Sequence, residues 1–172
     1  MDLSRFIRDV PDFPKAGINF KDLTPLLGDS AAFAESIEQL VFPFRDQRIA
    51  RVCGIEARGF IFGAAAALRL GCGFVPLRKP GKLPAAKIGV DYALEYARDR
   101  LEMHADAIHR GEPILIVDDV LATGGTLAAA AELVERTGGE IVGAALVIEI
   151  ASLSGRSHWH RPAPVHSILV YD

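Results

Sequence analysis

The residues best suited to chemistry are two adjacent acids set between an apolar run and a turn of small residues. Ile114-Leu115-Ile116-Val117 is continuously hydrophobic, Asp118 and Asp119 follow, and Val120-Leu121-Ala122-Thr123-Gly124-Gly125-Thr126 comes next. Glycines let a backbone bend so that successive N–H groups point inward as an anion nest. A helix opening near Thr126 adds the positive end of its dipole, and Thr123 and Thr126 bring hydroxyl donors. That turn, Ala122 to Thr126, is expected to cradle a phosphate monoester. No lysine follows the glycines, so it is not a Walker loop. Adjacent carboxylates repel, and keeping both ionised beside the nest calls for a cation or hydroxyl donors. Sugar hydroxyls together with Mg²⁺ would supply both. The alternative is a solvated turn whose acids cap a helix.

Two further segments carry charge of the opposite sign. Glu56-Ala57-Arg58-Gly59-Phe60 follows a short apolar stretch, and Arg78-Lys79-Pro80-Gly81-Lys82 is a cationic loop. Arg78, Lys79 and Lys82 suit a diphosphate through charge-assisted hydrogen bonds, although a basic loop alone is equally a solvated surface.

The elements around these segments explain why they should meet. Arg51 to Ile55, Phe74 to Leu77, Ile114 to Val117, Ile141 to Ile150 and His166 to Tyr171 read as strands. Helices are expected from Gly59 to Leu70, closed by Gly71, and from Leu127 to Arg136, closed by Gly138-Gly139. An N-cap at Asp29 or Ser30 opens another through Phe42, with Phe33, Ile37, Leu40 and Val41 on one face. Ser4 to Asp9 could form a short helix, and Pro11 to Asp22 reads as a loop. Strands alternating with crossover helices give an α/β fold, a central parallel sheet flanked by helices. Ligands of such sheets sit at the carboxyl ends of the strands, where all three chemical segments leave.

Bulk composition agrees with one domain, residues 1–172. Half of the residues are hydrophobic and 24% are charged, with a net charge of −3. No basic run is present, which argues against nucleic acid as a partner. The most apolar run, Phe60 to Leu70, is too short to span a bilayer and is broken by Gly63 and Arg69, so no membrane partner is expected. Cys53 and Cys72 lie in apolar stretches and read as buried reduced thiols, and a cytoplasmic location is expected. His158-Trp159-His160 lacks the spacing of a metal site and reads as a loop, with His104 and His109 solvated.

The stretch from Ile114 to Thr126 closely resembles the phosphoribosyl-diphosphate signature of type I phosphoribosyltransferases. That resemblance implies their fold: a parallel-sheet core with a small N-terminal hood, here mainly residues 1–28, and a flexible lid loop, here about 80–96. It also implies that Asp118 and Asp119 contact ribose hydroxyls, that Ala122, Thr123, Gly124, Gly125 and Thr126 hold the 5′-phosphate, and that Arg58 and Gly59 belong to the pyrophosphate loop. Over nearly the whole chain the likeness narrows to the adenine phosphoribosyltransferases. It rests on Phe13 to Asp22, on Arg78 to Pro84, on Tyr92-Ala93-Leu94-Glu95-Tyr96 and on Val147 to Ser157.

The activity implied is transfer of the phosphoribosyl group from 5-phosphoribosyl 1-diphosphate to adenine. Mg²⁺ would be held by the substrate rather than directly by protein ligands, and the chain would form a homodimer. Phe20 would stack on the base, while backbone near Asn19 and Lys21 reads its edge. Guanine and hypoxanthine would leave those groups mismatched, and unpaired buried polar groups discriminate strongly. Glu95 would handle the proton at N7, its alternative being a surface acid paired with Arg98. Tyr96 would belong to the lid. Asn19, Ala16 and Ala97 depart from the family's usual residues. A different base, such as xanthine or orotate, and a non-catalytic sensor of phosphoribosyl diphosphate remain as rivals.

Overall fold

A computed structural model of the chain describes residues 1–94 and 97–172, with side chains described outside 93–98. A tight turn at Leu3–Phe6 leads into β1 (Arg8–Val10), which pairs antiparallel with β2 (Phe20–Asp22). Two helices follow, α1 (Thr24–Gly28) and α2 (Ser30–Val41). Next come β3 (Arg51–Ile55), α3 (Arg58–Leu70) and β4 (Gly73–Leu77). An antiparallel hairpin joins β5 (Lys87–Leu94) to β6 (Ala97–His104). After it lie β7 (Pro113–Leu121), α4 (Gly125–Arg136), β8 (Glu140–Ile150) and β9 (Val165–Tyr171).

The main sheet has five strands in the order β4-β3-β7-β8-β9, each parallel to its neighbours. The chain steps outward from β3 to β4 and later returns to lay β7 on the other side of β3. The β3/β7 boundary is therefore the topological switch point, where a crevice opens at the carboxyl ends of the strands. β7 lies at the centre because both of its faces are apolar. Ile114 and Ile116 pack with Leu127, Leu133 and Val134 of α4, whereas Leu115 and Val117 pack with Phe62 and Ala66 of α3. Each of those four strand residues is fully buried, which is worth about 1.5–3 kcal/mol per large side chain.

The helix ends match their chemistry. Asp29 caps α2 by accepting from the N–H groups of Ala31 and Ala32 at 3.0 and 2.8 Å. Gly71 ends α3 in the left-handed region, at a φ of 67°.

Several expectations need correction. The segment from Ser4 to Asp9 is helical only in its first half, as part of a 3-10 turn at Leu3–Phe6; Arg8 and Asp9 belong to β1, which pairs with β2 inside the stretch read as a loop. β7 does not stop at Val117 but runs through both acids, pairing Asp118 with Leu146 and Leu121 with Glu149 of β8. The stretch expected as a lid loop, about 80–96, is in good part strand: β5 runs from Lys87 to Leu94 and opens the β5–β6 hairpin. Ile88, Val90 and Tyr92 alternate with polar or small residues, and Val90, Leu101 and Met103 join the core beneath α4. His104 is not solvated: its Nε2 is buried without a hydrogen-bond partner among the described residues. Cys53 is buried and Cys72 half-buried; both are free, and burial pushes both thiols up. Among the described residues no helix is long and apolar enough to cross a membrane.

Candidate active site

A cavity of about 900 Å³ opens at the switch point, and β3, β7, the N-terminal stretch from Lys15 to Lys21 and the segment after β8 all contribute to its wall. At its floor Asp118 and Asp119 are 8% and 6% exposed. The Asp119 N–H donates to Asp118 Oδ1 at 2.9 Å, and the Asp119 carboxylate forms an ion pair with Arg58. Burial, followed by the charge of Asp119, pushes the Asp118 carboxyl well above the usual carboxylate range.

The sign of that shift has a consequence for stability. An acid whose folded pKa exceeds its unfolded one supports the fold fully only below the unfolded value, and loses that support as pH rises through the folded one. Asp118 therefore works against the fold near neutrality. Asp118→Asn is expected to raise Tm by about 2–4 °C near neutral pH while lowering activity. Melts repeated at about pH 4 should show the gap closing.

The turn after β7 is shaped by close backbone approach. Gly124 has a φ of 86°, and a side-chain carbon there would overlap the Gly155 carbonyl oxygen. Helix α4 begins at Gly125, and Ala128 N–H donates to the Gly124 carbonyl at 2.9 Å. Ala122, Thr123 and Thr126 line the cavity, while Gly124 is buried behind them. Gly125 borders a neighbouring hollow instead. Thr126 Oγ1 donates to the Tyr92 hydroxyl at 3.3 Å, linking the turn to the β5–β6 hairpin.

The loop from β3 to α3 contains a cis peptide between Glu56 and Ala57, and both residues line the cavity with Arg58. Gly59 lies directly under Asp118, as the close approach there requires. Glu56 ties this loop to the cationic one, accepting from the Lys79 N–H at 2.8 Å and from Arg78 Nε at 3.1 Å. Of the cationic trio only Lys79 lines the cavity. Its ammonium donates to the Tyr92 hydroxyl at 2.9 Å and pairs with Asp99. Arg78 turns to Glu56 and to the Lys82 carbonyl, and Lys82 is exposed outside the cavity. Glu95 and Tyr96 lie outside the described residues.

The β1–β2 pair forms the opposite wall through Asn19, Phe20 and Lys21. Lys21 pairs with Asp9 and lies 4.3 Å from the Tyr171 ring centroid. Phe20 packs edge-on against Phe13, and the Arg58 guanidinium stands 5.3 Å from the Phe20 ring centroid. Among the described residues no strand but β1 pairs with β2, so its outer edge keeps main-chain groups outside any described sheet. Reasoning from sequence missed Ile150, Ser152, Leu153 and Asp172, which also line the cavity. The signal was available: they lie at or just beyond the carboxyl ends of β8 and β9, and the rule that found the other loops applies to these.

Residues 27–164 match the phosphoribosyl transferase domain. An adenine phosphoribosyltransferase of Methylococcus capsulatus is 56% identical over 165 residues, covering 96% of each chain. The chain belongs to the adenine phosphoribosyltransferase family. Its fold agrees: the crystal structure of the Rhodothermus marinus adenine phosphoribosyltransferase superposes with a TM-score of 0.93 at 52% identity, covering 98% of this chain and 96% of that one. The Saccharomyces cerevisiae adenine phosphoribosyltransferase, solved with adenine and an iminoaltritol 1,6-bisphosphate, gives a TM-score of 0.91 at 39% identity, covering 97% and 96%. The parallel five-stranded core with flanking helices is the type I phosphoribosyltransferase fold of this family.

Proposed function

We propose that the chain transfers the phosphoribosyl group of 5-phosphoribosyl 1-diphosphate to N9 of adenine, giving AMP and diphosphate in purine salvage. The observation that carries this reading is the convergence, in one cavity, of a phosphate-sized turn, a buried acid pair, the cations Arg58 and Lys79 beside it, and an aromatic hood. The yeast relative, crystallised with adenine and a sugar-like bisphosphate, supports the same pairing of ligands.

In this reading the N–H groups and hydroxyls from Ala122 to Thr126 hold the 5′-phosphate. Asp118 and Asp119 accept from the 2′ and 3′ hydroxyls. The substrate then takes Arg58 from Asp119 and places that guanidinium, with Lys79, on the diphosphate. As the C1′–oxygen bond breaks, positive charge builds on the sugar beside the two acids and favours their ionised forms. Phe20 stacks on the purine, and the open edge of β2 near Asn19 and Lys21 reads its 6-amino group and N1. Glu95 accepts the N7 proton released as N9 bonds to C1′. Tyr96, between β5 and β6 in the chain, would cover the site and help exclude water. Arg78 and Lys82 act on the diphosphate only after leaving their present partners, or from a second copy.

Among the described residues no cluster of three metal-ligating side chains is present, which fits a Mg²⁺ held by the oxygens of the substrate, with the two buried carboxylates beside it engaged by the ribose hydroxyls. Bound Mg²⁺ supplies neutralisation of the charge on the departing diphosphate. A homodimer is supported by Ile61 and Leu68, 42% and 85% exposed two turns apart on α3. Sedimentation at micromolar protein tests it. A cytoplasmic location agrees with the two free thiols.

The deciding experiment is AMP formation from adenine and phosphoribosyl diphosphate with Mg²⁺, run beside guanine, hypoxanthine and xanthine. Strong, selective use of adenine is expected. Turnover only with another base would keep the core reading and overturn the hood. Tight binding of phosphoribosyl diphosphate without turnover would leave a sensor. Within the same assay Glu95→Gln is expected to lower kcat by about 10²-fold with little change in adenine affinity. A pure affinity change would relocate the proton acceptor.

A further inference from the structure

The segment joining β8 to β9 reaches the phosphate turn from behind. Glu149, 6% exposed near the end of β8, accepts from Arg156 with both oxygens: Nε to Oε1 at 2.7 Å and Nη2 to Oε2 at 2.6 Å. Ser167 of β9 donates to Glu149 Oε2 at 2.7 Å, and Arg156 Nη1 donates to the Val165 carbonyl at 2.8 Å. Arg156 first, then Ser167, hold the Glu149 carboxyl below its usual range, against the effect of burial. Glu149 is also the strand partner of Leu121, immediately before the turn. The residue next to Arg156 is Gly155, which is buried and packed against that turn. A side-chain carbon on Gly155 would overlap the Ala122 carbonyl oxygen and lie 2.9 Å from Leu121 Cδ1. One on Gly124 would overlap the Gly155 carbonyl oxygen and lie 3.0 Å from its Cα. Two glycine backbones thus interlock, one carrying the turn and the other held by the Arg156 fork.

We propose that the Glu149–Arg156–Ser167 clamp, acting through Gly155, is the positioning device that sets the phosphate turn for the 5′-phosphate. This rests on the reading of that turn given above. Arg156 and Glu149 are not among the residues that line the cavity, so they act through the backbone at Gly155. A bidentate guanidinium fork fixes direction as well as charge, which a lysine cannot reproduce. Displacement of binding groups by even an ångström carries a large kinetic penalty.

The test uses Gly155→Ala and Arg156→Lys in the full chain. Readouts are the KM of each substrate, kcat, Tm, and ribose 5-phosphate affinity by calorimetry. Gly155→Ala is expected to raise the phosphoribosyl-diphosphate KM and the ribose 5-phosphate Kd together by about tenfold or more, with the adenine KM within about twofold. Arg156→Lys should shift the same ratio less far. If Gly155→Ala does not fold, Arg156→Lys decides alone. Equal changes in both KM values that track a lower Tm would make the clamp merely structural and overturn the proposal, as would unchanged constants. A parent chain that binds ribose 5-phosphate but makes no AMP would remove the transfer reaction, while loss of that binding in the variants would still uphold the clamp. A parent that does not bind ribose 5-phosphate overturns both.

Discussion

Asp119→Asn is expected to lower kcat by about 10²–10³-fold while the protein melts within a few degrees of the parent. Asparagine keeps the shape of the side chain and one carbonyl acceptor, but it loses the negative charge that, in the proposed reaction, faces a developing cation at C1′. It also offers a donor where the substrate presents hydroxyl donors. The fold tolerates the change because the partner left behind is Arg58, whose side chain is 50% exposed and can be solvated. Truncating a pair buried on both sides would be far more damaging. Asp118 should respond as well. Its carboxyl is held high by burial first and by the charge of Asp119 second, so removing that charge lets Asp118 ionise at lower pH. The acid limb of kcat/KM is expected to move down in pH for the variant. Steady-state kinetics across pH together with thermal melts check all three statements. Near-parent kinetics would remove Asp119 from the ribose assignment.

Much of this site was readable because its central strand carries a strong pattern. Four consecutive apolar residues ending in two acids and a glycine turn fit a buried parallel strand that delivers polar groups to the carboxyl end of the sheet far better than a solvated turn. β3, α3 and β4 were similarly plain, being short apolar runs punctuated by glycine. Elements too short to show a period were not readable. β1 and β2 have three residues each, and the prolines and glycine between them hide their pairing. The β5 alternation of Ile88, Val90 and Tyr92 was present but masked by Gly89 and by the charges of β6. Side-chain direction lay beyond the sequence altogether. Arg78, Lys79 and Lys82 are equivalent as types, yet Glu56 takes Arg78, the cavity receives Lys79, and Lys82 stays in solvent. Contacts between remote backbones, such as Gly124 on Gly155, leave no local pattern at all.

Gly59 shows the same blindness with the largest structural consequence, because local propensity gives the wrong sign for it. Gly59 is the second residue of α3, and alanine in a helix is favoured over glycine by about 1 kcal/mol. Gly59→Ala is nevertheless expected to destabilise the protein and to impair it. A carbon added there would lie 2.6 Å from Asp118 Oδ1, 3.1 Å from Asp118 Cα and 3.3 Å from the Val117 carbonyl oxygen. Two of those atoms are backbone of the central strand, so a rotamer change in Asp118 cannot relieve the clash. Helix α3 must back away from β7. Overpacking of this kind costs about 1–3 kcal/mol, and each kcal/mol lowers Tm by about 2–4 °C in a chain of this size. Retreat of α3 also carries Arg58 away from the cavity and disturbs Asp118, so kcat/KM should fall by about 10²-fold. A lower Tm with parent-like kinetics would mean that the helix yields without moving the site. An unchanged Tm with lost activity would mean that Asp118 alone absorbs the added carbon.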